Sequence, residues 1–464
     1  MEEKLATANL VNALLQMWQQ IKQAFFRTEK TQLLLRGSVG SLVVRSFGVA
    51  LKVLLGIFLA RELGASSYGI YAYAAAWLAF LTVPTTMGLD QVLIRYVAAY
   101  KEARAWHTLK GVLRFAATLG VGAAIVVCVI AITVVASLSG MEPELRTTMW
   151  IMFAILPVVV MAQVRQGSLR ALDQPVRSLL PETIFWPVLL MVFVGGAHWL
   201  LEVTPTVSQV ALASAAAWVI TFVIGTVFLL RALPESARTC APAYERAQWM
   251  AMIPSLIVTM GAYYVLSRAD VLILGAFRTT REVGIYTVAN RGAELVIFMY
   301  DAITIVGSSL FYSIYATGDR EELQRFTRLV TKTILWATLP VCLILLVFAP
   351  LFLRLFGVEF VEGAGAMRLL TSAYFLMSLT GFVHIMLYAA GRQRDVAIVM
   401  VITAAVNIGL SFLLIPLFGM IGAAISLGTS LLVLKGTLVV VLYKRVGLLS
   451  LPISLTRKAA TQDG

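Results

Sequence analysis

Long apolar runs without a single charge dominate this chain. Phe115–Met141, Val203–Leu230, Thr333–Leu353 and Leu369–Gly391 contain no Asp, Glu, Lys or Arg. Each reaches the roughly 20 residues an α-helix needs to cross about 30 Å of hydrocarbon. The run Val396–Leu434 is nearly twice as long and is broken at Pro416-Leu417-Phe418-Gly419, so it predicts two helices joined by a tight turn. With the interrupted stretches added, the pattern predicts twelve spans, near 37–60, 69–88, 114–138, 147–167, 183–201, 207–231, 250–276, 284–311, 330–355, 366–390, 396–416 and 420–443. The fold class is therefore an all-α polytopic membrane protein.

The polar residues between the runs carry the orientation. Lys22, Arg27, Lys30 and Arg36 precede the first span, and Arg95, Lys101, Arg104 and Lys110 follow the second. Arg165, Arg170 and Arg177 follow the fourth; Arg231, Arg238 and Arg246 the sixth; Arg320, Arg325, Arg328 and Lys332 the eighth. Arg392 and Arg394 follow the tenth, and Lys444, Arg445, Arg457 and Lys458 lie in the tail. The opposite loops hold only Arg61, Arg146, Arg278, Arg281 and Arg354. Basic residues concentrate on the cytoplasmic side of membrane proteins, so both termini are expected there. The net charge of +13 is then a topology signal and implies no nucleic-acid partner.

The chain also repeats itself. Ser41-Leu42-Val43-Val44 and Gly69-Ile70-Tyr71 are echoed about 214 residues later by Ser255-Leu256-Ile257-Val258 and Gly284-Ile285-Tyr286. An internal repeat fixes architecture before any local feature does. Six spans per half is an even number, so the halves share one orientation and relate by a pseudo-two-fold axis along the membrane normal. The expected organisation is an amphipathic cytoplasmic helix over 1–35, a six-helix bundle over 36–232, a cytoplasmic linker over 233–249, a second bundle over 250–443 and a tail over 444–464. Leu10, Leu14, Trp18, Ile21 and Phe25 give the first segment its apolar face, and its acidic start does not read as a signal peptide.

Composition narrows the class further. The chain is 60% hydrophobic and 13% charged, about half the charged fraction of a soluble domain. It has no phosphate-binding loop of the G-x-x-x-x-G-K-[ST] form, so it is not expected to hydrolyse ATP. Its three cysteines and three histidines show no metal spacing, and no metal or bound cofactor is expected. Glu142 and Glu144 flank Pro143 in a short loop, a pattern of solvated turns more than of a glycosyltransferase carboxylate pair. An enzyme is not expected.

Ionisable residues inside the spans are the candidate chemistry, because each costs a few kcal/mol in hydrocarbon and usually faces a cavity or a partner. Arg45 and Lys52 lie seven residues apart on one face of the first span. The seventh span holds Arg268 and Asp270; the eighth holds Arg291, Glu294 and Asp301 within an arc of about 80°. Asp270 and Arg291 sit at similar distances from the outer ends of their helices, which predicts an ion pair. Arg368 opens the tenth span and Lys435 lies deep in the twelfth. Snorkelling to the headgroups is the alternative for Arg45, Lys52 and Arg368. The set as a whole is more cationic than anionic, as a cavity for a phosphate-bearing cargo would be.

These residues resemble a known family. Ala60-Arg61-Glu62-Leu63-Gly64 with Tyr68-Gly69-Ile70-Tyr71, Gly88-Leu89 with Arg95, Leu169-Arg170-Ala171-Leu172, Asp270 to Gly275 with Val283-Gly284-Ile285-Tyr286, and Phe356-Gly357 with Phe360 are similar to the polysaccharide or oligosaccharide (O-antigen, Wzx-type) flippase family. Its superfamily also contains multidrug extruders and lipid II flippases. The resemblance spans about residues 33–445, and lipid II flippases usually have two further spans. It implies a V of two bundles in a bacterial cytoplasmic membrane. It also implies alternating-access movement of a polyprenyl-pyrophosphate-linked oligosaccharide from inner to outer leaflet, for O-antigen or exopolysaccharide synthesis. Arg45, Lys52, Arg268, Arg291 and Lys435 are then the candidate pyrophosphate contacts, by placement rather than by a family signature. Asp270, Glu294 and Asp301 are candidates for coupling to H⁺ or Na⁺, and a polymerase and chain-length regulator are possible partners. A multidrug or small-molecule exporter on the same fold is the main alternative, and a membrane glycosyltransferase or polymerase the second.

Overall fold

The computed structural model describes residues 29–201, 204–448 and 450. Among them every regular element is helical. Helix α1 (Glu29–Thr86) would be about 87 Å long if straight, nearly three times the hydrocarbon thickness. It is instead broken at Gly64, whose φ of 72° and ψ of 173° turn the chain back between the first and second spans. Helix α17 (Gln393–Val446) is broken in the same way at Gly419, with φ 55°, inside the Pro416–Gly419 turn predicted from sequence. The two broken helices together supply four spans.

The others follow in order. Helix α2 (Leu89–Glu102) prolongs the second span past a break at Met87 and Gly88, both with positive φ. Helix α3 (Trp106–Ser137) is the third span, and α4 (Pro143–Ala154) with α5 (Leu156–Ala171) the fourth. Helix α6 (Pro175–Leu180), a π-helical turn at Pro181–Phe185 and α7 (Trp186–Leu201) form the fifth, and α8 (Val207–Ala232) the sixth. Short helices α9 (Glu235–Thr239) and α10 (Arg246–Met250) make the linker. Helices α11 (Ile253–Phe277), α12 (Thr280–Thr317) and α13 (Arg320–Val347) are spans seven to nine. A short α14 (Ala349–Arg354) and a 3₁₀ turn lead to α15 (Ala364–Ser378) and α16 (Val383–Ala389), which share the tenth. Among the described residues these helices make twelve spans.

Burial shows how the bundles meet. One continuous core holds Leu55, Tyr68 and Tyr71 of the first half together with Ile285, Tyr286, Phe356 and Phe360 of the second, all near the outer ends of their helices. Away from that end this core divides. Leu89, Val92, Leu109 and Val164 pack within the first bundle, and Phe311, Val330, Phe382 and Leu442 within the second. Two bundles joined in one core at the Gly64 end form a V, and at its other end the start of α11, Ile253 and Leu256, still packs on the first bundle at Gly88.

The linker rides on the first bundle. Lys110 Nζ donates to the carbonyls of Arg238 and Cys240, at 2.6 Å each, and Trp249 is fully buried. Three sequence expectations change here. The second span continues as helix to Glu102 with Leu93 and Val97 buried, because Gly88 redirects the chain without ending the helix. The helix that opens α1 already starts at Glu29, so residue 35 is no boundary; residues 1–28 lie outside the described part, as does the tail from 451. Arg165, read as a cytoplasmic loop residue, is 2% exposed inside the first bundle.

Candidate functional site

The sequence repeat marks the closed end of the V. A Cβ built on Gly69 would lie 1.7 Å from the Thr280 carbonyl oxygen and 3.0 Å from the Gly284 nitrogen. One on Gly284 would lie 2.3 Å from the Ala65 oxygen. The two repeat glycines thus let the backbones of the halves touch at the pseudo-two-fold axis, which no larger residue permits. Their tyrosines turn away into their own bundles: Tyr71 donates to Ser214 Oγ at 3.3 Å, and Tyr286 to Asp270. The contact is stapled across the halves. Glu359 accepts from the Ala65 N–H at 3.0 Å, Arg61 Nε donates to the Leu355 carbonyl at 2.7 Å, and Ser66 meets Thr280 at 3.3 Å.

Below this contact lies a charged tier. Helical rise puts Arg268 about 14 Å, Arg291 about 17 Å, Lys52 about 18 Å and Glu294 about 21 Å inward of the outer ends of their helices. The Arg291 guanidinium packs across the axis on Gly56 of α1, where a Cβ would come within 3.0 Å of its Nη1. Gly56 is one turn from Lys52, which is exposed in the cleft and lies within electrostatic reach of Arg291, Glu294 and Arg268. Asn290 Nδ2 donates to Glu294 at 3.4 Å, and Tyr374 holds Asn290 by donating to its Oδ1 at 2.8 Å. A second tier, about 28–31 Å in, brings Arg45 near Asp301 and Arg170.

The structure therefore brings Lys52, Arg268, Arg291 and Glu294 together, with Arg45 and Asp301 nearer the inner mouth. Among the described residues none of Arg45, Lys52, Arg268 and Arg291 has a carboxylate within 4.0 Å. Two expectations fail here. Asp270 does not pair with Arg291: it is 1% exposed, accepts from Tyr286, and points into its own bundle while Arg291 crosses to α1. Lys435 does not line the cleft; it is 6% exposed within the second bundle, held by Tyr300 Oη at 3.1 Å. Arg368 lies on an exposed face and donates to the Leu346 carbonyl, as a helix-end anchor does.

Sequence reasoning missed one buried ion pair. Arg165 of α5 bonds Glu182 in the π-helical turn and donates to the Phe222 carbonyl at 2.9 Å, while Gln166 donates to the second oxygen of Glu182 at 3.0 Å. A π turn inserts one residue into a helix and re-aims its side chains. The available signal was Glu182 itself, set between Leu179-Leu180 and Ile184-Phe185-Trp186, where a lone carboxylate demands a partner.

Known proteins share this plan. Residues 34–297 match the family described as polysaccharide biosynthesis protein, and residues 314–461 match the one described as lipid II flippase MurJ. The probable low-salt glycan biosynthesis flippase Agl15 of Haloferax volcanii is 23% identical over 404 residues, covering 86% of this chain and 81% of that protein. A multidrug resistance MATE family transporter in its inward-facing conformation superposes with a TM-score of 0.72 at 15% identity, over 88% of this chain and 98% of its own. An outward-facing conformation gives 0.64 at 15% identity over 91% and 97%. Lipid II flippase MurJ in an inward closed conformation gives 0.67 at 12% identity, over 86% of both chains. At these identities the solved structures show the fold alone. The match over residues 34–297 shows more: this chain belongs to the polysaccharide biosynthesis protein family, as a multi-pass membrane transporter of the flippase type and not an enzyme.

Proposed function

We propose that this protein moves a polyprenyl-pyrophosphate-linked oligosaccharide from the inner to the outer leaflet of a bacterial cytoplasmic membrane by alternating access. One observation carries the reading: among the described residues Arg45, Lys52, Arg268 and Arg291 have no carboxylate within 4.0 Å, and they lie in the cleft between the bundles, which we take to open towards the cytoplasm. Unpaired cations in a membrane interior are costly and call for an anionic ligand. A pyrophosphate supplies two phosphates for charge-assisted bonds, Arg offering a planar fork and Lys a point charge. The sugar would lie in the cleft and the polyprenyl chain in lipid between the bundles. Transport would draw on an ion gradient through Asp270, Glu294 or Asp301. A polymerase and a chain-length regulator would take the product onward.

A multidrug exporter is the second reading, supported by the likeness to the MATE transporter fold. The cationic lining argues against it for cationic drugs. The test is Ala substitution of Arg45, Lys52, Arg268 or Arg291. Each lost charge-assisted bond should cost about 1.5–3 kcal/mol, a tenfold or greater fall in affinity. Surface polymer should be lost and lipid-linked repeat units should accumulate, with the protein still folded in the membrane. Arg→Lys at Arg291 should restore part of the activity, because charge remains while the fork is lost. Normal surface polymer in all four Ala variants would refute the pyrophosphate clamp.

A further inference from the structure

The second bundle holds a charged cluster that the cargo does not explain. Lys435 of α17 is buried, and its ammonium has two neutral acceptors: Tyr300 Oη at 3.1 Å and His384 Nδ1 at 3.4 Å. It also lies 5.1 Å from the centre of the Tyr300 ring. Tyr300 in turn donates to the Gly381 carbonyl at 3.0 Å, so its oxygen is fixed as the acceptor for the lysine. His384 must keep a lone pair on Nδ1 to accept from an ammonium, which makes it the neutral tautomer protonated on Nε2. The next residue along α12, Asp301, is exposed to the cleft and lies within electrostatic reach of Lys435 without forming an ion pair.

We propose that Asp301, Lys435 and His384 form a proton-exchange site that couples the outer contact to pH, with Lys435 changing partners between Asp301 and the His384–Tyr300 acceptors. The proposal rests on the transport reading above and names the coupling ion as a proton. The proton adds to a carboxylate oxygen of Asp301 and later leaves from it; Lys435 stays an ammonium throughout. With Asp301 protonated, nothing draws Lys435 from its neutral acceptors, the contacts it makes here while the Gly69–Thr280 contact is closed. With Asp301 ionised, the attraction pulls Lys435 towards α12 and empties the acceptors on α16. Helix α12 carries both Asp301 and, at its outer end, Thr280 and Gly284, so a shift of this helix reaches the closed contact directly.

The other charged or titratable groups facing the cluster are few. Arg45 of α1 approaches Asp301 across the cleft. Tyr388 of α16 stacks edge-on against His384 at 6.2 Å, with Tyr312 of α12 beside it. Arg45 competes with Lys435 for Asp301 from the opposite half, which strengthens the link between protonation and the separation of the bundles. A sodium ion is the poorer occupant. Hard cations seek several oxygens, and beside the Asp301 carboxylate this site offers one phenol and one ring nitrogen, both already bound to an ammonium.

The outer contact gives a cargo-free readout. Ser66→Cys with Thr280→Cys, whose hydroxyl oxygens lie 3.3 Å apart across the halves, reports closure in liposomes by dipolar coupling between nitroxides attached to the two cysteines at one fixed pH before the titration. The background replaces Cys128, Cys240 and Cys342 by Ala. From about pH 8.5 to about pH 5.5 the ratio of closed to open should rise by about fivefold or more. Asp301→Asn, a cleft-facing change that leaves the core intact, should hold the ratio high at every pH. Lys435→Gln should abolish the response, and Asp270→Asn should keep it, its carboxylate being committed to Tyr286. A pH-independent ratio in the parent protein would overturn the proposal. So would a pH response that survives Asp301→Asn, or one reproduced at fixed pH by exchanging choline for sodium. Because no cargo is present, any of these outcomes leaves the lipid-linked-oligosaccharide reading standing on its own test.

Discussion

Replacing Gly69 by Ala probes the closed outer contact at its tightest point. The added Cβ would lie 1.7 Å from the Thr280 oxygen, 2.6 Å from its carbonyl carbon and 3.0 Å from the Gly284 nitrogen. Ordinary contact begins near 3.4 Å. The backbones of α1 and α12 must therefore separate by well over an ångström, and neither partner is a side chain that could swing aside. Overpacking of this kind costs about 1–3 kcal/mol. The cost falls on the closed arrangement alone, because the bundles no longer touch here once the outer end opens. The open population should rise by roughly five- to 150-fold. The assay is labelling of Lys52→Cys by a membrane-impermeant maleimide added from outside, with Gly436→Ala as control, since a Cβ at that position meets nothing within 4 Å. Labelling should accelerate in Gly69→Ala and in Gly284→Ala, and stay unchanged in the control. Unchanged labelling in both glycine variants would show that the repeat glycines do not form the outer gate.

Two further outcomes are expected. Glu182→Gln leaves the buried Arg165 guanidinium without its counter-charge and should destabilise the protein by about 3–5 kcal/mol, whereas Arg165→Met with Glu182→Met should recover most of that in a thermal unfolding scan; equal loss in both would place the stabilisation elsewhere. On the outer face Arg281 grips Glu362 through two 2.7 Å bonds and holds its carboxyl below the usual carboxylate range. That contribution is present above the unfolded carboxylate pKa of about 4.3 and fades as pH falls through the lower folded value. Water and salt limit it to roughly 0.2–1 kcal/mol for so exposed a pair. Glu362→Gln should flatten that part of the acid limb of a melting-temperature profile, and a full-sized acid limb in the variant would count against it.

Much of this fold was legible because hydrocarbon imposes it. Length and charge of the apolar runs gave the spans, and the Pro416–Gly419 break gave one hairpin; the other turns at Gly64, which the structure reveals. The break at Gly88 was not legible as a continuation, because a positive φ there bends the helix while buried Leu89, Val92 and Leu93 keep it packed. The cationic tier was legible from depth and helical phase: Lys52, Arg268 and Arg291 do converge. Partner choice was not. Asp270 and Arg291 match in depth but differ in direction, and direction depends on which helix each faces. In sequence Lys435 looks like a cleft residue and Arg165 like a loop residue, yet Glu182 and the Tyr300–His384 pair bury them inside their bundles. Tyr300 and His384 come from distant spans that only packing brings near, and Glu182 lies in a π turn at the start of the next span.

The central claim is that the unpaired cations of the cleft carry a pyrophosphate-linked sugar across the bilayer. The most direct measurement uses purified protein in liposomes loaded on one leaflet with a polyprenyl-pyrophosphate-linked sugar. Its arrival on the other leaflet is followed by accessibility to a sugar-cleaving enzyme outside. Unmutated protein should expose the sugar, and Arg291→Ala and Lys52→Ala should each slow exposure by about tenfold or more. Exposure at the same rate in protein-free liposomes, or at full rate in both variants, would contradict the claim.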